Sequence, residues 1–296
     1  MNVGLDVRPA VREANEVFRR FPVRISFLPV LLGLLTSTTT MWTQPDLQYR
    51  EDKHIFFYFL CFVFGGFVLF WINCFTEVVV STMYLRAREG EEPGTKQLGE
   101  ALHYRGFASL AWGLLLRCLG WWLLLGLAFG VVLLFAGIFT EAANTGPTNS
   151  IGATAGGIGH GIAIVIGAIV VVPFVIVATL IFCRYMFLFP MLSIERASRR
   201  GFLDECVRRT KQIWKTAAVV MLAGGIPALL ISGMQSLAWK HMTPPHGVRI
   251  AVEVAGAILT GCFTAWFILV KTGLAMQLMP APIRALESTG ERSCEI

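Results

Sequence analysis

Residues 162–192 read IAIVIGAIVVVPFVIVATLIFCRYMFLFPML, a run in which Arg184 is the one charged residue. About 20 apolar residues cross roughly 30 Å of hydrocarbon as a helix, so this run exceeds one passage. A span of that length is expected to tilt or kink, and Pro173 and Pro190 are the places for it. Five further apolar runs, at 23–42, 55–80, 113–139, 217–238 and 250–278, are long enough to do the same. Composition agrees: 55% of the 296 residues are hydrophobic, 15% are charged, and the mean hydropathy is +0.64. Soluble domains carry about 25% charged residues. The expectation is an all-α, polytopic membrane helix bundle, with residues 1–296 as a single transmembrane domain.

The basic residues set the orientation. Eighteen Lys and Arg fall on the side that holds both termini and the 86–105 and 196–215 loops, against four on the other side. The positive-inside rule then predicts cytoplasmic termini. Trp42 and Trp239 fall at the predicted outer ends of their spans, where interfacial anchors belong. The net charge of +6 follows from this asymmetry and implies no nucleic acid. The first span is preceded by basic residues, but TSTTTMWTQ after it offers no cleavage motif, so it reads as uncleaved. The 140–161 loop, TEAANTGPTNSIGATAGGIGHG, is small, polar and glycine-rich, as an outer loop would be.

Directly after the 162–192 run comes a basic stretch, ERASRRGFLDECVRRTKQIWK, at 195–215. Within 202–215, Leu203, Cys206, Val207, Thr210 and Trp214 recur at helical spacing, and Asp204, Arg208, Lys211 and Lys215 take the opposite face. Asp204 and Glu205 precede Arg208 and Arg209 by four, the favourable order for helix ion pairs. Basic amphipathic helices commonly rest on an anionic leaflet. Arg208, Arg209, Lys211, Lys215 and Trp214 are the candidate contacts for anionic lipid headgroups or a protein partner.

The same device recurs at 7–21, with Val7, Val11, Ala14, Val17, Phe18 and Phe21 on one face, and at 96–107, with Leu98, Ala101 and Leu102. Three cytoplasmic amphipathic helices, each leading into a transmembrane hairpin, divide the chain into units at 7–85, 96–193 and 202–279. The signature of mitochondrial carriers, P-x-[DE]-x-x-[KR], is absent after Pro22, Pro29, Pro173, Pro190 and Pro227.

WINCFTEVVVSTMYLRAREGEEPGTKQLGEAL at 71–102 and FPMLSIERASRRGFLDECVRRTKQIWKT at 189–216 carry a resemblance. Each is a span end, a turn and an amphipathic helix. They are similar to an uncharacterised family of bacterial six-span integral membrane proteins, related to the membrane domain found beside glycerophosphodiester phosphodiesterases. Pro190, Glu195, Cys206, Val207, Arg208, Arg209 and Trp214 stand where its most recognisable motif lies. Cys206 and Val207 replace the usual Ala-Leu, and Thr210 stands where Ser is common. The resemblance implies topology and the bacterial inner membrane, and brings no chemistry.

Glu77, Arg117, Arg184 and Lys271 are ionisable residues inside predicted spans, all toward the cytoplasmic ends. Such groups are functional candidates in a membrane. Glu77 is expected to pair with Arg184 or Lys271, although cations at span ends also reach the headgroups by themselves. His160, His241 and His246 lack metal-ligand spacing, and the seven cysteines form no CxxC, so neither a metal nor another cofactor is implied. Gly126–Gly130 and Gly157–Gly161 fit the GxxxG helix-packing pattern, which also serves homo-oligomers. No P-loop, nucleophile elbow, zinc-protease helix or dinucleotide fingerprint occurs, so the chain reads as no enzyme. The leading expectation is a non-catalytic membrane subunit or organiser. A transporter of a lipid or small amphiphile is the alternative, and a membrane-embedded enzyme comes last.

Overall fold

The computed structural model describes residues 6–43, 55–104, 106–120, 123, 127, 179, 183–196, 201–211, 213–241 and 246–279. Side chains are described for these except 37–43, 55–63, 225, 228, 229, 232–241, 246, 247 and 249. Among the described residues every regular element is helical. The helices are α1 Val7–Arg20, α2 Pro22–Thr43, α3 Ile55–Arg88, α4 Thr95–Leu102, α5 Phe107–Gly120, α6 Leu188–Glu195, α7 Phe202–Lys211, α8 Trp214–His241 and α9 His246–Leu278. The chain forms two compact units: Met1–Phe107 with Tyr185–Ile296, and Ala108–Arg184.

In the first unit α9 is the central helix. It packs along α2 most extensively, then against α1, α8, α3 and α6. The α2–α9 seam is set by small residues. A Cβ on Gly261 would stand 2.5 Å from the Val30 Cα, and one on Gly33 would stand 2.9 Å from the Ala257 carbonyl oxygen. Only glycine lets the two backbones approach so closely, as in other small-residue helix contacts. The seam lies at Ala257–Gly261, a small-xxx-small pair. The two GxxxG motifs expected to pack helices lie outside the described residues.

Four expected spans coincide with α2, α3, α8 and α9. The third opens in α5, and most of the fourth, with Pro173, lies outside the described residues. Near Pro190 the fourth breaks as expected, with turn residues at 186–187 before α6 starts at Leu188. Proline has no N–H to give the preceding turn. Among the described residues two helices, over Phe64–Arg88 in α3 and Ile250–Leu278 in α9, are long and apolar enough to cross a membrane.

The amphipathic helices form where expected, but they face differently. On α1 the buried residues are Ala10, Ala14 and Val17, whereas Val7, Val11 and Phe18 are half-buried. The small side chains face the protein because α1 is docked against α9, α2 and α3. Its contacts with α9 run in reverse order: Asp6 bonds to Gln277, Ala10 meets Gly273, and Asn15 bonds to Trp266. Helix α1 therefore lies antiparallel along the last turns of α9. On α4, Leu102 is exposed and Gln97 is buried in its place, because the Gln97 side chain caps the helix start. Its Oε1 accepts from the Gly94 N–H at 2.7 Å, and its Nε2 donates to the Glu92 carbonyl.

Helix α7 is shorter than the 202–215 expected. It starts after Gly201, whose φ of +84° only glycine adopts freely, and ends at Lys211. Trp214 opens α8 instead, and it is exposed. The buried face of α7 is Phe202, Cys206 and Thr210.

The second unit contributes α5, with Leu110, Ala111 and Leu114 buried and Trp112, Leu116 and Leu119 exposed.

Candidate functional site

One stripe of α3 carries a polar seam. Glu77, Ser81, Tyr84 and Arg88 follow the i, i+4, i+7, i+11 spacing of a single helix face. Each meets a group on α9 or α1. The Lys271 ammonium donates to the Glu77 carboxylate, and their side chains are only 10% and 14% exposed. The Thr272 hydroxyl, 2.9 Å from Ser81 Oγ, donates to it. The Tyr84 hydroxyl donates to Glu13 at 3.0 Å, and Arg88 reaches the same carboxylate at 3.4 Å. Lys271 also stands 5.5 Å from the centre of the Phe267 ring, a cation–π contact. A charge removed from water is costly unless it is paired, which accounts for a seam built of matched groups.

Beyond the seam, the segments predicted to be cytoplasmic gather at one end of the first unit. Arg24, at the start of α2, donates to Glu92 at 2.7 Å and to the Pro93 carbonyl. Arg86 is held by Glu89, Glu91 and Glu100 at 2.8, 3.7 and 3.3 Å. The acidic turn at 89–94 therefore neutralises two of the arginines that carry the orientation signal. From α7, Arg209 Nη1 lies 2.8 Å from the Met279 sulfur, just beyond the end of α9.

The candidate cations of α7 divide. Glu205 accepts from Arg209 at 2.5 Å and from Arg208 at 3.4 Å. The Arg209 guanidinium beside it holds the Glu205 carboxyl below the usual carboxylate range. Arg209 is 20% exposed and built into the fold, whereas Arg208 is 77% exposed. Lys211 is exposed, and Lys215 lies 5.9 Å over the Trp214 ring. On the inner face, burial pushes the Cys206 thiol up to about 12, which makes it a packing group and no nucleophile.

Of the four ionisable residues singled out inside spans, Glu77 and Lys271 meet. Arg117 and Arg184 belong to the second unit, and both are half-buried there. His160 and the side chains of His241 and His246 lie outside the description. No cluster of His, Cys, Asp or Glu suited to a metal occurs among the described residues. Sequence reasoning missed Ser81, Tyr84, Arg88, Thr272 and Glu13. The signal was available in the 77, 81, 84, 88 spacing, which puts four polar groups on one face of a mostly apolar helix.

Among the described residues the chain is thus all-helical, with two helices long and apolar enough to cross a membrane. Comparison with protein-family models, curated proteins and solved structures finds no match.

Proposed function

We propose that the chain is an integral protein of the bacterial inner membrane, with six spans and both termini in the cytoplasm. In this reading it is a non-catalytic subunit or organiser, whose basic cytoplasmic end meets anionic lipid or a protein partner. Its likeness to the six-span family is part of the same proposal.

The observation that carries the reading is the outward apolar stripe on successive helices. Val23, Phe27, Leu31 and Leu35 form one on α2, and Val219, Leu222, Ile226 and Leu230 form one on α8. Val248, Ile250, Ile258 and Leu259 are exposed on α9. Only 33% of each apolar window in α3 and α9 is buried within the protein, whereas the core helix of a soluble protein is mostly buried. Contiguous apolar faces of this extent are rare on water-exposed monomers, and hydrocarbon covers them without cost. The Glu77–Lys271 pair supports a structural role over transport, because each charge already has its partner.

Two measurements test the reading. Alkaline washing should leave the protein in the membrane pellet. Single cysteines, in a background without native ones, should label at position 200 from the cytoplasm and at position 148 from outside. Labelling with the opposite sidedness would overturn the orientation, and release by alkali would overturn the membrane assignment.

A further inference from the structure

Two methionine sulfurs at the end of α9 are held in the same way by arginines from two other helices. Arg88 of α3 sets its Nη1 2.9 Å from the Met276 sulfur, while its Nε and Nη2 lie 3.4 and 3.5 Å from the Glu13 carboxylate. Arg209 of α7 sets its Nη1 2.8 Å from the Met279 sulfur, while its Nε and Nη2 both donate to Glu205 Oε1. In each case a carboxylate holds one edge of the guanidinium and aims the remaining nitrogen at a thioether. Both methionines are half-buried, so their sulfurs lie within reach of a small solute, whereas Met83 and Met191 are buried. Between the two, Gln277 exchanges hydrogen bonds with the backbone of Asp6. The end of α9 is therefore where α1, α3 and α7 meet.

A thioether is a weak acceptor, and a guanidinium is a strong donor. Packing alone would be served as well by leucine. The sulfur has two lone pairs, and the N–H engages one, leaving the other to attack a peroxide. The S–O bond forms as the O–O bond breaks. The other peroxide oxygen leaves as hydroxide and takes the proton that the attacked oxygen loses, so the products are a sulfoxide and water. Sulfur is oxidised by two electrons and the peroxide is reduced. Each Nη1 carries two N–H groups, so one can face the sulfur while the other stabilises the departing hydroxide, as fixed donors do for developing anions.

The sulfoxide oxygen is a far better acceptor than the sulfur it replaces. An N–H···O bond itself spans about 2.9 Å, so this oxygen cannot slip into the existing gap. The flexible methionine side chain can instead swing until the oxygen stands where the sulfur stood. A weak contact then becomes a charge-assisted hydrogen bond.

We infer that Met276 and Met279 are a peroxide-reactive pair, each activated by its arginine, whose sulfoxides tie α3 and α7 more firmly to the end of α9. The inference goes beyond the membrane reading and does not depend on it. Thiol-dependent methionine sulfoxide reductases reverse this modification, the thiols passing to a disulfide and the oxygen to water.

The test is oxidation of the full chain in mild detergent by hydrogen peroxide, followed by peptide mapping over time. Met276 and Met279 should gain oxygen about tenfold faster in the native protein than in the same protein denatured, the effect of one charge-assisted hydrogen bond at the transition state. A thioether that is merely exposed reacts no faster folded than unfolded. Arg88→Lys should slow Met276 and spare Met279, and Arg209→Lys should do the reverse, because lysine keeps the charge but cannot bridge carboxylate and sulfur. After oxidation, amide hydrogen exchange at residues 205–211 should slow, and Met279→Leu, close in volume, should abolish that slowing. Native rates equal to or below the denatured ones would overturn the site, as would equal slowing of both methionines by either arginine variant. Faster exchange at 205–211 after oxidation would overturn the tie.

Discussion

Lys271 of α9 donates to the Glu77 carboxylate of α3 across 194 positions of sequence. Both side chains are nearly buried, so neither can turn to water when its partner is lost. Breaking a buried pair from one side costs about 3–5 kcal/mol, because it strands the other charge. Glu77→Gln should therefore lower thermal stability in detergent strongly. Glu92→Gln should change it little, since the Glu92–Arg24 pair is largely exposed and exposed pairs contribute roughly 0–1 kcal/mol. Replacing both buried partners, as Glu77→Leu with Lys271→Met, should recover much of the loss. Equal, small effects of Glu77→Gln and Glu92→Gln would remove the pair as a structural lock.

The α2–α9 seam gives an independent test of the packing. A Cβ on Gly261 would fall 2.5 Å from the Val30 Cα, which is backbone and cannot step aside. Gly261→Ala should thus force the helices apart and cost about 1–3 kcal/mol, as overpacking does. Gly65 lies in α3 with nothing within 4 Å of its Cβ direction, so Gly65→Ala should be neutral or stabilising by up to about 1 kcal/mol. Melting of the two variants, measured side by side in one detergent, checks the contrast.

Much of this arrangement was legible in the sequence, and the rest was hidden for physical reasons. Hydropathy located α2, α3, α8 and α9 because apolar length is a local property. The partner of Glu77 was narrowed to Arg184 or Lys271, but choosing between them needs the tertiary contact of α3 with α9. The docking of α1 was misjudged because an amphipathic stripe does not say whether lipid or protein covers it. Size was the missing clue: Ala10 and Ala14 are buried against the protein while Val7 and Val11 stay half-buried. The same clue, small residues at a close contact, marks Ala257 and Gly261.

Cys206 supplies a pH prediction. An ordinary thiol titrates near 8.5, and burial moves this one up to about 12. The folded state therefore favours the neutral thiol. Its contribution to stability is complete below about pH 8.5 and is lost as the pH rises from there toward about 12. Cys206→Ala should lower stability at neutral pH but lose less of it between pH 8 and pH 10.5 than the parent does. At pH 7.5 Cys206 should resist maleimide until the protein is denatured. Ready labelling of the native protein, located by peptide mapping, would contradict its burial.

The basic run on α7 should divide by position. Arg209 is bound by Glu205 and lies against Met279, whereas Arg208 and Lys211 point to the surface. Arg209→Gln should therefore loosen α7 and lower thermal stability, with little specific effect on lipid recovery. Because Glu205 titrates below the usual carboxylate range, its pair with Arg209 is intact at neutral pH and is lost as the pH falls through that lowered value. The stability gap between the parent and Arg209→Gln should accordingly narrow in acid. Combined Arg208→Gln and Lys211→Gln should do the opposite, leaving melting unchanged and reducing co-purified anionic lipid or partner. Each such cation near an anionic surface contributes on the order of 1 kcal/mol, fading with salt over a screening length of roughly 8–10 Å. The reduction should thus be larger at low ionic strength. If lipid and partner recovery stay unchanged at every salt concentration while the protein folds normally, the exposed cations of α7 serve orientation alone.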